Sequence, residues 1–245
     1  MLKDIISTGS FNICSQVLIF FAEILVARML LPSDFGGFAL ALILVEVFSV
    51  ISFKSLAIAF VQNNAANDKD LGSIVFITSL ISLMLIPGSI FLVETISDNY
   101  GGAALEKSYA VLVWILPITT IKFVYRQAIL KRKYFWQAAS AELISVVVYT
   151  IMVILLAYNS FGIYSLVFAF VGRQLISTAI VFYFASKEYK IYFKYSNSSM
   201  SKLINMSVAL TLQNLFLFAS SNTDRYFVTL SGGAEGVGLY TRAMK

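Results

Sequence analysis

The sequence predicts an all-α integral membrane protein, a polytopic helical bundle of about seven transmembrane helices. Of its 245 residues, 59% are hydrophobic and only 13% are charged, whereas soluble domains have about a quarter of their residues charged. The mean hydropathy is +0.82. The apolar residues form runs long enough to cross a bilayer, which takes about 20 residues. None of these runs shows the alternating pattern of a membrane barrel.

Each apolar run is predicted to be one helix, because in lipid every backbone polar group needs a partner inside its own segment. The runs cover residues 5–27, 37–61, 72–95, 109–130, 137–158, 161–184 and 203–230. Two of them contain proline, and the pair Pro87-Gly88 and the single Pro117 are predicted to interrupt the third and fourth helices.

The joint between the first two runs, Ile24 to Ala41, predicts a tight helical hairpin at a membrane surface. Pro32 cannot continue a helix but begins one well, and Ser33 or Asp34 beside it is expected to cap free backbone N–H groups. A similar stretch, Phe227 to Ala243, begins at the end of the last apolar run.

A second copy of the same unit is predicted to begin near the end of the chain. Sliding the sequence by about 202 positions superposes Asn12 on Asn214, Val26 on Val228, Gly36 on Gly238 and Ala41 on Ala243. An odd number of helices also indicates that the second unit is cut short. We therefore expect a first six-helix lobe over residues 1–202 and the first helix of a truncated second lobe over residues 203–245.

Composition excludes several kinds of chemistry. The chain has no histidine and one cysteine, Cys14 in the first run. These counts exclude an internal disulfide and histidine-based catalysis, and they argue against a zinc or haem site. We expect no metal, no cofactor and no catalytic residue. The net charge of +5 comes from short loops between apolar runs, as in inner-membrane proteins, and does not indicate nucleic acid.

The distribution of lysine and arginine between loops predicts a cytoplasmic N-terminus. With that orientation, nine basic residues lie inside and four outside. The inner ones are Lys3, Lys69, Lys131, Arg132, Lys133, Lys187, Lys190, Lys194 and Lys202, and the outer ones are Arg28, Lys107, Arg242 and Lys245.

Two of the predicted helices carry a polar stripe. At 100° per residue each stripe falls within roughly a third of the circumference. The stripes consist of Thr8, Asn12, Ser15, Gln16 and Glu23 on the first helix, and of Ser207, Thr211, Asn214, Ser221, Asn222 and Arg225 on the seventh. Such faces turn toward other helices or a water-filled cavity. We expect Asn12, Gln16 and Asn214 to line a cavity between the two stripes.

Charged residues within the apolar runs are the strongest indication of function. Each costs about 2.5–3.5 kcal/mol at the bilayer centre on insertion scales, so such residues usually face an interior and have a partner. They are Glu23, Glu46, Lys54, Lys122, Arg126, Glu142, Arg173, Asp224 and Arg225. Lys122 and Arg126 share a helix face, which favours an anion or a position near the surface.

Four stretches together resemble polysaccharide exporters of the multidrug/oligosaccharidyl-lipid/polysaccharide superfamily, in particular the O-antigen and colanic-acid-type flippases. They are VARMLLPSDFGGFALA from Val26, RQAILKRKYFWQAASAELIS from Arg126, FGIYSLVFAFVGRQLIS from Phe161 and SSNTDRYFVTLSGGAEGVGLYTRA from Ser220. The stretch ISFKSLAIAFVQ departs from the family pattern, so Lys54 has no counterpart there. Since members have about twelve to fourteen helices in two lobes, the chain resembles half of a two-lobed transporter plus one helix.

The resemblance implies a transporter rather than an enzyme. Such relatives flip an undecaprenyl-diphosphate-linked oligosaccharide, an O-antigen or exopolysaccharide unit, from the cytoplasmic to the periplasmic leaflet of the bacterial inner membrane by alternating access. The implied partners are this lipid-linked substrate, membrane lipids, and the polysaccharide polymerase and chain-length machinery. We expect Arg28, Arg173 and Arg225 to bind the anionic head group, and Glu23 and Asp224 to balance their charge or couple an ion.

Other functions stay open at this stage. A drug antiporter of the same fold would favour acidic residues in its cavity. A membrane-embedded sugar polymerase or glycosyltransferase would need a large loop or a carboxylate pair in a loop, and the loops of this sequence are short. A purely structural membrane subunit is not excluded by the sequence.

Overall fold

The computed structural model describes residues 2–63, 68–97, 102–190 and 200–243. Side chains are described in these ranges except at 2–7, 200–202, 225–226, 230, 234 and 242–243. The described ranges contain nine α-helices. They are α1 (Leu2–Ala27), α2 (Pro32–Ile51), α3 (Ser55–Gln62), α4 (Asp68–Ile96), α5 (Gly102–Leu112), α6 (Leu116–Lys131), α7 (Phe135–Tyr158), α8 (Ile163–Glu188) and α9 (Met200–Ala243).

Seven segments of the described chain are long and apolar enough to cross a membrane. They are Thr8–Ala27, Pro32–Ile51, Asp68–Ile96, Gly102–Lys131, Phe135–Tyr158, Ile163–Glu188 and Leu203–Asp224. This confirms the predicted class, an all-α polytopic membrane protein, and each span overlaps one of the predicted runs.

The first hairpin forms as the sequence predicts, apart from its cap. Helix α1 ends at Ala27 and α2 begins at Pro32, which occupies the first turn. The N-cap is Leu31, and no side chain makes a capping hydrogen bond, so the predicted cap by Ser33 or Asp34 is wrong. Asp34 lies within the first turn instead, where its negative charge favours the positive end of the helix dipole.

The second predicted run is not one helix. It breaks at Ser52–Lys54, where Phe53 has φ of 61°, a left-handed conformation that a bulky side chain rarely adopts. The short α3 that follows is fastened at its end by Lys131, whose Nζ donates to the carbonyl oxygens of Phe60 and Asn63, both at 2.8 Å. Eight residues make a marginal helix alone, so this anchoring matters.

The two proline predictions have opposite outcomes. Pro87 lies inside an uninterrupted α4, so the predicted break there is wrong. Pro117 falls in the first turn of α6, directly after a short 3-10 turn, Val113–Ile115, and the predicted interruption of the fourth span is confirmed. Near the chain's end, Gly233 has non-helical backbone angles, φ 55° and ψ −154°, and divides α9 into a long and a short segment.

Two apolar cores stabilise the bundle, one toward each end of the spans. The first is built around side chains of α1, α2, α5 and the ends of α7 and α8 that meet at residues 158–163, including Val26, Phe38 and Tyr109. The second joins α3, α4, α6 and the opposite ends of α7 and α8, and it includes Phe60 and Ile129.

Glycines allow two close helix approaches in the first core region. A Cβ added at Gly37 of α2 would lie 2.6 Å from the Cβ of Ala104 on α5. A Cβ added at Gly238, in the short segment of α9, would lie 2.0 Å from the carbonyl oxygen of Pro32. The stretches around Gly36 and Gly238 resemble each other in sequence. They also pack directly against each other.

Candidate functional site

A layer of polar side chains separates the two apolar cores. On α4, α7 and α8, and along the segments α2–α3 and α5–α6, polar residues occupy the sequence interval between the residues of one core and those of the other. We call this set the polar layer. It consists of Glu46, Ser49, Ser52, Lys54 and Ser55, of Thr78 and Ser82, of Thr120 and Lys122, of Glu142 and Ser145, and of Arg173, Gln174 and Ser177.

An ion pair between neighbouring helices holds one side of the polar layer. The guanidinium of Arg173 on α8 donates a hydrogen bond to the carboxylate of Glu142 on α7. Both side chains are mostly buried, with 22% and 32% of their surface exposed. The Cζ of Arg173 also lies 5.8 Å from the ring centroid of Tyr149 on α7, a cation–π distance.

Lys122 of α6 interacts with charged residues at four other positions in and beside the polar layer. Its Nζ donates a hydrogen bond to the side-chain oxygen of Gln174 on α8. Its charge interacts with that of Glu142 and is opposed by those of Arg173, Arg126 and Lys54. The lysine thus has a neutral hydrogen-bond partner and more cations than carboxylates around it.

A cavity of about 470 Å³ adjoins the layer between α2, α3, α6 and α9. Glu46 and Lys54 supply its charges, and Lys54 Nζ lies 5.4 Å from the ring centroid of Phe123, which is also in the cavity wall. Because Lys54 interacts with Lys122 on one side and lines the cavity on the other, it connects the cavity with the polar layer.

The polar stripe of α9 faces this cavity and α3. Thr211 Oγ1 donates to Ser55 Oγ at 3.0 Å, and Asn214 Nδ2 donates to the same oxygen at 3.3 Å. Asn214, Ser221 and Asn222 line the cavity. The predicted cavity, which lies between the stripes of α1 and α9 and is lined by Asn12, Gln16 and Asn214, stays a prediction.

The stripe of α1 lies elsewhere. Asn12 and Gln16 are exposed and are not part of this cavity wall, because α1 packs against α7. Glu23, further along the same stripe, is half-buried and its charge acts on Tyr149, the ring that Arg173 also contacts. Glu23 thus brings this stripe close to Arg173 of the polar layer, through the Tyr149 ring that both approach.

The predicted head-group arginines are spread along the molecule. Arg173 lies in the polar layer, whereas Arg28 is exposed in the turn between α1 and α2. The Arg225 side chain lies outside the described residues. Asp224 accepts a hydrogen bond from the Tyr240 hydroxyl at 2.6 Å. The carboxylate that pairs with Arg173 is that of Glu142, and charge balance by Glu23 and Asp224 stays a prediction.

Sequence reasoning did not select Glu142, Lys122 or Gln174 as a group. Glu142 lies near the start of a predicted run, where a charged side chain can also reach the membrane surface. The group is recognised only in the structure, because α6, α7 and α8 each place a charged residue at a similar depth in the bundle. With more cations than carboxylates in a low-dielectric setting, this arrangement can attract and hold an anion.

Comparison with known proteins gives two findings. The sequence profile of a family described as "Polysaccharide biosynthesis protein" matches residues 25–245. The succinoglycan biosynthesis transport protein ExoT of Rhizobium meliloti (strain 1021) is 23% identical over 222 residues, which are 89% of this chain and 44% of that protein. The chain thus spans less than half the length of this curated relative. No solved structure matches the chain.

Proposed function

Because the chain belongs to the family of polysaccharide biosynthesis proteins, we propose that it takes part in flipping a lipid-linked oligosaccharide across the bacterial inner membrane. In this proposal an undecaprenyl-diphosphate-linked sugar unit passes from the cytoplasmic to the periplasmic leaflet by alternating access. The N-terminus is cytoplasmic, and polysaccharide polymerase and chain-length machinery act beside it.

The observation that carries the proposal is the excess of cations in the membrane-spanning bundle. Lys54, Arg126 and Arg173 add their positive charges to that of Lys122, whereas Glu142 and Glu46 are the two carboxylates that interact with this group. Cations in lipid are costly unless a function or a partner retains them. A diphosphate carries charges of the opposite sign and suits an arginine fork or a lysine point charge.

The named relative supports the class of substrate. That protein is named for succinoglycan biosynthesis and transport. A polysaccharide precursor has a polar sugar head, an anionic diphosphate and a long apolar tail. The polar layer and the cavity beside it suit the head and the diphosphate, while the tail stays in lipid. Moving such a molecule makes and breaks no bond, so the proposal needs no catalytic group.

The other functions that the sequence leaves open have less support. A cavity for cationic drugs favours carboxylates, whereas the interactions around Lys122 are predominantly with cations. A sugar polymerase or glycosyltransferase needs an extramembrane catalytic region, and the connections between the described helices α1 and α2, α6 and α7, and α7 and α8 are short turns.

Transport by the whole protein in vesicles tests the proposal. A fluorescently labelled undecaprenyl-diphosphate sugar is reconstituted with the protein, and its movement between leaflets is followed with a membrane-impermeant quencher. Lys54→Gln and Lys122→Gln each remove a cation at the cavity or in the layer. We expect each to slow flipping about tenfold, since a hydrogen bond to a charged group contributes about 1.5–3 kcal/mol.

Lys107→Gln is the matched control, because Lys107 is an exposed lysine on α5. It should flip the substrate at the wild-type rate. Wild-type rates in folded Lys54→Gln, Lys122→Gln and the double variant would contradict the proposal. Efflux of a cationic dye that these substitutions accelerate would favour the antiporter.

A further inference from the structure

An apolar groove runs along the outer face of the α7–α8 hairpin, away from the cavity and the polar layer. Its volume is about 470 Å³, and its walls include Trp136 and Ile144 of α7 and Ile180, Tyr183 and Phe184 of α8. Ser140 also lies in the wall, but its hydroxyl donates to the Gln137 carbonyl at 3.0 Å. The groove thus offers a long apolar surface with little demand for hydrogen bonds.

The groove lies near one end of the α7–α8 hairpin, where we expect a membrane interface. It is close to the beginning of α7 and the end of α8, which lie at the same end of an antiparallel hairpin. Trp136 and Tyr183 are 49% and 54% exposed, respectively. Tryptophan and tyrosine are enriched at the level of lipid head groups, because their rings are apolar and their tips are polar.

Two lysines lie near the groove. Lys187 Nζ lies 4.2 Å from the ring centroid of Tyr183, so it stands directly over the groove wall. Lys133 is exposed in the turn before α7, three residues from Trp136. The Tyr134 hydroxyl interacts with the nearby carboxylate of Glu188. The negative charge of Glu188 is therefore partly stabilised within the protein.

We propose that this groove binds an anionic phospholipid of the bilayer, with one acyl chain in the groove and the phosphate against Lys187 and Lys133. The apolar walls lie in a membrane-spanning hairpin, so the hydrocarbon that fills them comes from a lipid. The cations select for the charge of its head group, since each lysine near the surface favours an anionic lipid by about fivefold. This site is independent of the proposed transport function.

Tryptophan fluorescence in reconstituted vesicles tests the proposal. The chain has two tryptophans, and Trp114, which is 63% exposed, can be replaced by phenylalanine to leave Trp136 as the reporter. Lipids with brominated acyl chains quench a nearby tryptophan. With both lysines acting, we expect brominated phosphatidylglycerol to quench Trp136 at a mole fraction about 5- to 25-fold lower than that of brominated phosphatidylcholine. Adding Lys187→Gln with Lys133→Gln should remove this preference.

Two controls separate a site from a general effect of charge. In a Trp136→Phe variant, Trp114 should be quenched equally by both lipids. Lys69→Gln removes an exposed lysine of α4 and should leave the preference at Trp136 unchanged. Equal quenching of Trp136 by both lipids would overturn the proposal. So would a preference that survives the double glutamine variant, or the same preference at Trp114.

Discussion

At the scale of single residues, the polar layer contains two kinds of cation. Arg173 is engaged by the Glu142 carboxylate and the Tyr149 ring, which suits a planar guanidinium that can donate and stack at once. Lys122 instead donates to the neutral amide of Gln174. If the protein transports the proposed substrate, we therefore expect its phosphate to gain more from Lys122 than from Arg173, which also holds α7 and α8 together.

The ion pair predicts a specific pattern of stability. Arg173→Ala should lower the free energy of unfolding by about 1.5–3 kcal/mol, because it leaves the Glu142 carboxylate without its hydrogen-bond donor. Adding Glu142→Gln should recover at least half of that loss, since the unpaired charge is removed. Thermal unfolding of the purified protein in detergent measures both effects.

Arg28→Ala is the control for this series, because Arg28 is an exposed arginine outside the polar layer. Its unfolding midpoint should match that of the wild type. If the losses in Arg173→Ala and Glu142→Gln simply add in the double variant, the two side chains do not form a stabilising pair.

At the scale of helices, close packing depends on residues without a side chain. The start of α2 is contacted on one side by α5, through Gly37 and Ala104, and on another by the short segment of α9, through Gly238 and the Pro32 carbonyl. Small residues at helix contacts are the usual means of association in lipid, because no hydrophobic force drives membrane helices together.

The glycine contacts predict that one methyl group is enough to disturb the packing. Gly37→Ala and Gly238→Ala should each destabilise the protein by about 1–3 kcal/mol, the usual cost of overpacking. Gly88→Ala is the matched control, because a Cβ at this α4 position would meet no atom within 4 Å. It should be neutral or slightly stabilising, since alanine is the better helix former. An unchanged unfolding midpoint for Gly238→Ala would show that α2 and α9 do not pack as described.

At the scale of the whole molecule, basic residues gather at one end of the bundle. Lys131 is the last residue of α6, and Arg132 and Lys133 follow it. Lys187 lies in the last turn of α8, and Lys190 follows that helix. The beginning of α1 reaches the same end, where the rings of Phe11 and Trp136 are 5.8 Å apart. The described basic residues that the sequence assigns to the cytoplasmic side therefore include five that lie at one end of the bundle.

We expect this basic end to face the cytoplasm. In a Cys14→Ser background, Arg132→Cys should escape an impermeant maleimide in spheroplasts and react after permeabilisation, because that turn is then inside the cell. Lys107→Cys, at an exposed position of α5, should react in intact spheroplasts. The reverse labelling pattern would place the basic end outside and contradict the predicted orientation.

Much of the fold could be predicted from the sequence, because lipid makes local composition decisive. Seven apolar runs, Pro32 at a helix start and the interruption at Pro117 are local features. The break at Phe53 was missed because the surrounding run is apolar and contains no proline or glycine there. The partnership of Glu142 with Arg173 was missed because it depends on the mutual rotation of α7 and α8. The division into lobes at residue 202 stays a prediction.

The Glu142–Arg173 pair also bears on how the protein is made. The two charges lie on consecutive helices joined by the short turn at residues 159–162. Each charge alone makes the transfer of its helix from the translocon into the bilayer less favourable by about 2.5–3.5 kcal/mol. If α7 and α8 enter the bilayer as one hairpin, each charge arrives with its neutralising partner already in reach. Loss of Glu142 would then act during synthesis, because α8 would fail to insert and would remain at the membrane surface before the rest of the bundle assembles.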